Sequence, residues 1–316
     1  MSGSRKGRKP SLLSEPEDER KPGIRSESIK GRKPLHKNES KKGRAEMATT
    51  QDRVAVRMLV KAREDFQGMR KRMDNRIGRK ADGKAQDIEE RIFSTADVAN
   101  FESVADAAKK QEKEIEKMLL KALKRFPIYT EWLSTVKGIG PISAGWIIGE
   151  YDIHIASTVS KMWQFTGLNP NKVRGKKRKE NDDGSFEYTI TDTMIHGDKL
   201  STGFVAPFNK RLRTALLGVM ADGFIRAQNS YALDYYYPYK LRLENSEKET
   251  ITSRGNKAEK EMMWSEVSKG HRDRAAKRYM LKMFLKDLYV KWREVEGLEV
   301  RVPYQEEYLG HKHEAA

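Results

Sequence analysis

The chain has 316 residues, with 63 Lys and Arg against 46 Asp and Glu and a formal net charge of +17. With 37% hydrophobic and 34% charged residues, it has apolar material for one modest core beside unfolded segments, not for two full cores. No apolar run approaches the roughly 20 residues of a bilayer-spanning helix, no apolar leader opens the chain, and the absence of cysteine excludes disulfides and Cys-type zinc sites. A cytoplasmic protein without membrane contact is expected, nucleoid-associated in a prokaryotic host. The excess of positive charge favours DNA or RNA, or an anionic membrane surface, and DNA or RNA is the expected partner.

Residues 1–50 are rich in Lys, Arg, Ser, Gly and Pro and nearly free of aromatics. Such a segment buries too little apolar surface to offset its ordering entropy and is expected to be a disordered basic tail. Gly7-Arg8-Lys9-Pro10 recurs as Gly31-Arg32-Lys33-Pro34. The repeat resembles a loose AT-hook arm for the minor groove; it also fits a tail drawn to phosphate in general.

Residues 51–125 read as a helical arm. Val54, Met58, Val60 and Lys61 open a charged helix, and Gly78-Arg79-Lys80-Ala81-Asp82-Gly83 breaks it. Beyond Phe101, the residues Val104, Ala108, Gln111, Ile115, Met118 and Ala122 alternate four and three apart, the stripe of a coiled coil. Two arrangements stay open. A paired arm would join two copies as a homodimer; a single amphipathic helix would lie on the domain that follows.

That domain spans residues 126–308, with 309–316 as a tail. It opens with two helices around Val136-Lys137-Gly138-Ile139-Gly140-Pro141-Ile142-Ser143-Ala144-Gly145. Two glycines two apart permit a tight turn with positive φ, and Pro141 suits the first turn of the second helix. This is a helix-hairpin-helix pattern. Its turn leaves backbone N–H groups at a helix N-terminus, an anion site. On a basic chain the expected anion is a nucleic-acid phosphate, contacted at Gly138, Ile139 and Gly140; the alternative is a plain glycine turn.

A third helix closes at Gly167, with Trp163 and Phe165 expected in the core. Lys172, Arg174, Lys176, Lys177, Arg178 and Lys179 then form a basic run. Asn181-Asp182-Asp183-Gly184 signals a turn, and residues 185–191 alternate like a strand. A small β-hairpin with a positive edge is expected, against a solvated loop. Residues 208–233 read as a helix beginning Asn209-Lys210-Arg211-Leu212-Arg213, with Leu212, Leu216, Val219 and Met220 on one face. Tyr231, Tyr235, Tyr236, Tyr237 and Tyr239 cluster at its end, and Pro238 marks a break. Residues 244–260 read as a polar loop. A last helix over 274–292 places Ala275, Ala276, Tyr279, Met280, Met283, Phe284, Leu288 and Trp292 on one side. The sum is an all-α fold with one small β-hairpin.

The order of these parts resembles the C-terminal domain of the IS-one-ten class of insertion-sequence transposases, over roughly residues 129–292. The glycine turn is followed by Phe165-Thr166-Gly167-Leu168-Asn169-Pro170, then by Asn209-Lys210-Arg211-Leu212-Arg213-Thr214-Ala215-Leu216. A Tyr with Lys240 and Arg242 comes next, and Arg274-Ala275-Ala276-Lys277-Arg278 last. The resemblance implies DNA transposition or recombination, a serine that attacks a phosphodiester, and a structured RNA guide. It also implies an N-terminal RNase-H-like domain with four acidic residues. The basic tail and residues 51–100, which show no run of strands, do not supply one.

Nor does a serine stand between Lys172 and Lys179, where the family carries its nucleophile. Ser201, in Ser-Thr-Gly ahead of the helix bearing Arg211 and Arg213, is the candidate; the two arginines would stabilise a phosphorane. No cofactor is expected, and a divalent metal only where a partner brings carboxylates. His311 and His313 have metal-like spacing but no cysteine or grouped acids beside them, so no zinc site is expected. These departures favour a non-catalytic DNA- or RNA-binding, or ribonucleoprotein, component over an active serine recombinase.

Overall fold

The computed structural model describes residues 49–78, 94–169, 173–195, 200, 202–252 and 260–301. The two Gly-Arg-Lys-Pro strings, Lys172, Ser201, His311 and His313 lie outside the described residues.

Helix α1 (Thr50–Arg76) starts at a capping box: the Asp52 amide donates to the Thr49 hydroxyl, and the Asp52 carboxylate accepts from the Thr49 amide. Ser94 caps α2 (Thr95–Leu123) in a similar way, accepting from the Asp97 amide. The two helices run antiparallel, with Arg125 on Asp52 (2.8 Å) at one end and Arg70 on Glu112 (2.6 Å) toward the other. The arm is thus paired within one chain. The face of α2 that is buried carries Val98, Ala105, Ala108, Glu112, Ile115, Leu119 and Leu123. Val104 and Met118 of the expected stripe are exposed. Turning the helix by about one position buries two leucines, each worth about 1.5–3 kcal/mol. It also carries Glu112 inside at 5% exposure, where Arg63 and Arg70 pair with it.

The arm does not end where the domain begins. Val56, Val60, Leu119 and Leu123 belong to the same core cluster as Leu133, Ile147, Ile148, Leu216, Phe224 and the apolar side of α9 (Lys269–Val295). The close approach is made against α4 (Pro141–Glu150). A Cβ on Gly145 would stand 2.6 Å from a Val60 methyl, and one on Gly149 would stand 3.2 Å from the Arg57 Cα. Arg57 donates to the Gly149 carbonyl (2.8 Å) and Arg53 pairs with Asp152 (2.6 Å). Both cations sit at the negative end of the α4 dipole.

Around this seam lie the short α3 (Pro127–Glu131), α5 (Val159–Thr166), α6 (Lys210–Ala215), α7 (Ala221–Ala227) and α8 (Tyr237–Glu244). The expected helix over 208–233 is interrupted by a π turn at Leu216–Met220 and by Gln228, whose φ of 47° ends α7. Pro238 does not break the chain as expected. It occupies the first turn of α8, and the π turn at Ala232–Tyr236 ahead of it absorbs the hydrogen bond that proline cannot make.

Strands β1 (Val173–Glu180) and β2 (Phe186–Ile195) form the expected hairpin, and β3 (Phe204–Val205) adds to β1, giving the order β2-β1-β3. The expected polar loop at 244–260 contains a strand instead. There β4 (Glu249–Thr252) pairs antiparallel with β5 (Lys260–Met263). The β-branched run Thr250-Ile251-Thr252 favours extended backbone.

Candidate nucleic-acid interface

The glycine turn forms as its residue types require. Gly138 has φ +94°, and a Cβ there would stand 3.2 Å from the Phe224 ring and 3.3 Å from the Gly223 carbonyl oxygen. The turn is closed by the Ile139 amide donating to the Val136 carbonyl (3.0 Å). Ile139 is therefore a closing bond of the turn and not, as expected, an outward donor. Gly140 is the N-cap of α4 and brings no side-chain cap. The first α-helical bond here runs from the Ala144 amide to the Gly140 carbonyl (3.0 Å). Pro141 has no N–H. The amides of Gly140, Ile142 and Ser143 have no acceptor among the described residues, so the positive end of α4 points outward with its donors unspent.

These donors open onto a groove of about 850 Å³. Its walls come from α1 (Arg63, Glu64, Lys71), the turn and α4 (Gly140 to Ser143, Trp146) and α6 (Lys210, Arg211). Glu64, the acid of the wall, is neutralised from within: it accepts from the Trp146 indole (2.7 Å) and pairs with Arg211 (2.8 Å). The other guanidinium nitrogen of Arg211 reaches Glu150 (3.0 Å), which also accepts from the Asn209 amide group (2.8 Å). Arg63 is held by Glu112 and Glu116. Lys71 and Lys210 are exposed and meet no carboxylate among the described residues. The groove is thus lined by a helix N-terminus and by two cations that meet no carboxylate among the described residues.

Of the residues expected at the interface, Gly140 edges this groove directly. Arg211 lines it but is spent on two carboxylates. Arg213 turns to the Phe208 ring (4.7 Å). Arg174, Lys176, Lys177, Arg178 and Lys179 are exposed along β1, a separate element. Trp163 is buried as expected, whereas Phe165 is 40% exposed and tilts onto Tyr151. Lys71 and Lys210 have no distinguishing context in the sequence. Another set does: Arg274, Arg278, Lys282 and Lys286 recur every fourth residue of α9. Burial, helped by Arg278, lowers the pKa of the Lys282 ammonium, which lies over the Trp163 ring (5.4 Å).

Two members of the tyrosine cluster are structural. Tyr231 donates to Asp287 (2.8 Å) and Tyr236 to Asp273 (2.6 Å), tying the segment around α8 to α9. Burial first, and then these carboxylates, push both phenols far above the usual tyrosine range, the opposite of what a tyrosine nucleophile needs. Among the described residues no three His, Asp or Glu side chains gather in a way that could hold a metal ion, and no helix is long and apolar enough to cross a membrane. No protein-family model, curated protein or solved structure matches the chain.

Proposed function

We propose that this protein binds nucleic acid by taking a backbone phosphate at the N-terminus of α4. The phosphate oxygens accept from the amides of Gly140, Ile142 and Ser143, and Lys71 and Lys210 supply the charge. Arg174, Lys176, Lys177, Arg178 and Lys179 on β1 give a second backbone contact. The observation that carries this reading is the set of three unspent amides, one of the N-cap and two of the first turn of ten-residue α4, at a groove whose own acid is already paired. DNA is the expected partner and structured RNA the alternative.

The motif order supports placing this binding in DNA transposition or recombination. Within that process we favour a non-catalytic component. Glu64 and Glu150 are committed to Arg211, Asn209 and Trp146, and Tyr231 and Tyr236 are committed to Asp287 and Asp273.

The test is the binding of a labelled mixed-sequence duplex by the full chain at low and moderate salt. Affinity should fall by roughly a hundredfold between 50 and 200 mM salt if about four phosphates are neutralised. Changing both Lys71 and Lys210 to Glu should weaken all sequences alike. An affinity indifferent to salt overturns the reading. In the same samples, a denaturation-resistant DNA adduct that disappears in Ser201→Ala would assign an active serine recombinase instead.

A further inference from the structure

Among the described residues, no other element covers one face of the β1–β2 hairpin, and that face has an unusual composition. The register sets Arg174 opposite Met194, Lys176 opposite Ile190, and Arg178 opposite Tyr188. Opposed residues share a face, so these six side chains lie together, with Phe186 next along β2. Ile190 is 70% exposed, Met194 54%, Tyr188 48% and Phe186 43%. Glu180 stands at the tip and Asp192 in the irregular stretch of the ladder. Exposed apolar side chains gathered on one face mark an interaction surface. The cations are already placed on the rings: Lys176 Nζ lies 4.5 Å from the Tyr188 centroid and Arg178 Cζ lies 4.4 Å from that of Phe186. The hairpin end is held by the Asn181 amide donating to the Ser185 carbonyl (2.9 Å) and by Gly184 at φ +78°.

A partner for this face must be anionic and must also offer flat apolar surfaces. Single-stranded nucleic acid satisfies both. Side chains on one face of a strand recur about every 7 Å. A stacked duplex offers its bases about every 3.4 Å with their faces hidden, whereas an unpaired strand can splay bases to the wider spacing and expose them. We propose that the Arg174/Lys176/Arg178 face of the hairpin binds single-stranded nucleic acid, stacking unpaired bases on Tyr188 and Phe186 while Lys176 and Arg178 leave the ring faces they cover in the free chain to hold the flanking phosphates. The proposal rests on the nucleic-acid reading of the groove and adds the strand state of the ligand.

The test uses the full chain, a single-stranded oligonucleotide carrying 2-aminopurine, and the matching duplex. Tyr188→Leu should weaken single-strand binding about tenfold, equivalent to about 1.4 kcal/mol, and abolish the 2-aminopurine fluorescence change. Tyr188→Phe should preserve both. Phe186→Leu should repeat the loss, which guards against one misfolded variant. Duplex affinity should stay within about twofold in all three, since phosphate contacts carry it. Equal losses on strand and duplex, or no loss on the strand, overturn this proposal and leave the groove reading intact. Binding to neither ligand overturns both. Tyr188-dependent binding of polyglutamate in place of the oligonucleotide assigns the face to an acidic polypeptide and overturns the proposal.

Discussion

Arg211 reads in the sequence as a free cation beside Arg213, and the fold spends it. Its guanidinium spans Glu64 on α1 and Glu150 on α4, so one side chain ties three segments. Replacing it with Met leaves part-buried Glu64 with the Trp146 indole alone and Glu150 with Asn209 and the more distant Arg57, at a cost of about 1–3 kcal/mol. The expected outcome for Arg211→Met is a lower urea midpoint at unchanged slope. A midpoint equal to that of the parent chain would return Arg211 to the role of free phosphate ligand. Asn209 follows the same logic. Its side chain caps α6 through the Leu212 amide and also donates to Glu150. The spacing Asn-x-x-Leu-Arg therefore encodes a clamp, and residue types alone do not separate a clamp from a ligand set. Gly138 was legible, because its φ of +94° and the Phe224 ring beside it call for glycine; Gly140, extended at φ −97° with open space where a Cβ would stand, does not require one.

At the scale of elements, the long helices α1, α2 and α9 were legible and their partners were not. Apolar periodicity marks α9 and the glycine turn marks α4. The pairing of α1 with α2, and the packing of both on α4, depends on Gly145 and Gly149, which admit α1 to close range. Gly145→Val should overpack this seam at a cost of about 1–3 kcal/mol. Thermal unfolding should then show an earlier loss of helix, and hydrogen exchange should show the deprotection concentrated in α1. Deprotection spread evenly over the chain would count against a seam at Gly145. The strand β1 shows the limit of pattern reading. Val-Arg-Gly-Lys-Lys-Arg-Lys-Glu has no alternation. Its extended state comes from pairing with β2 on one side and β3 on the other, information held in other segments.

At the scale of the molecule, the groove gathers residues 63–71, 140–146 and 210–219. No spacing in the sequence brings Lys71 and Lys210 to the α4 turn; only the packing of α1 and α6 on either side of it does. The motif marks the place of the proposed anion site, and the fold brings Lys71 and Lys210 to the same groove. Three backbone amides carry the proposed phosphate contact, and amide NMR of the isotope-labelled full chain observes them one by one as a short DNA duplex is titrated in. The signals of Gly140, Ile142 and Ser143 should shift together and saturate with the binding curve, while Ile139, closed onto Val136, moves least within the turn. Saturable binding that leaves Gly140, Ile142 and Ser143 unmoved would contradict a phosphate at the head of α4.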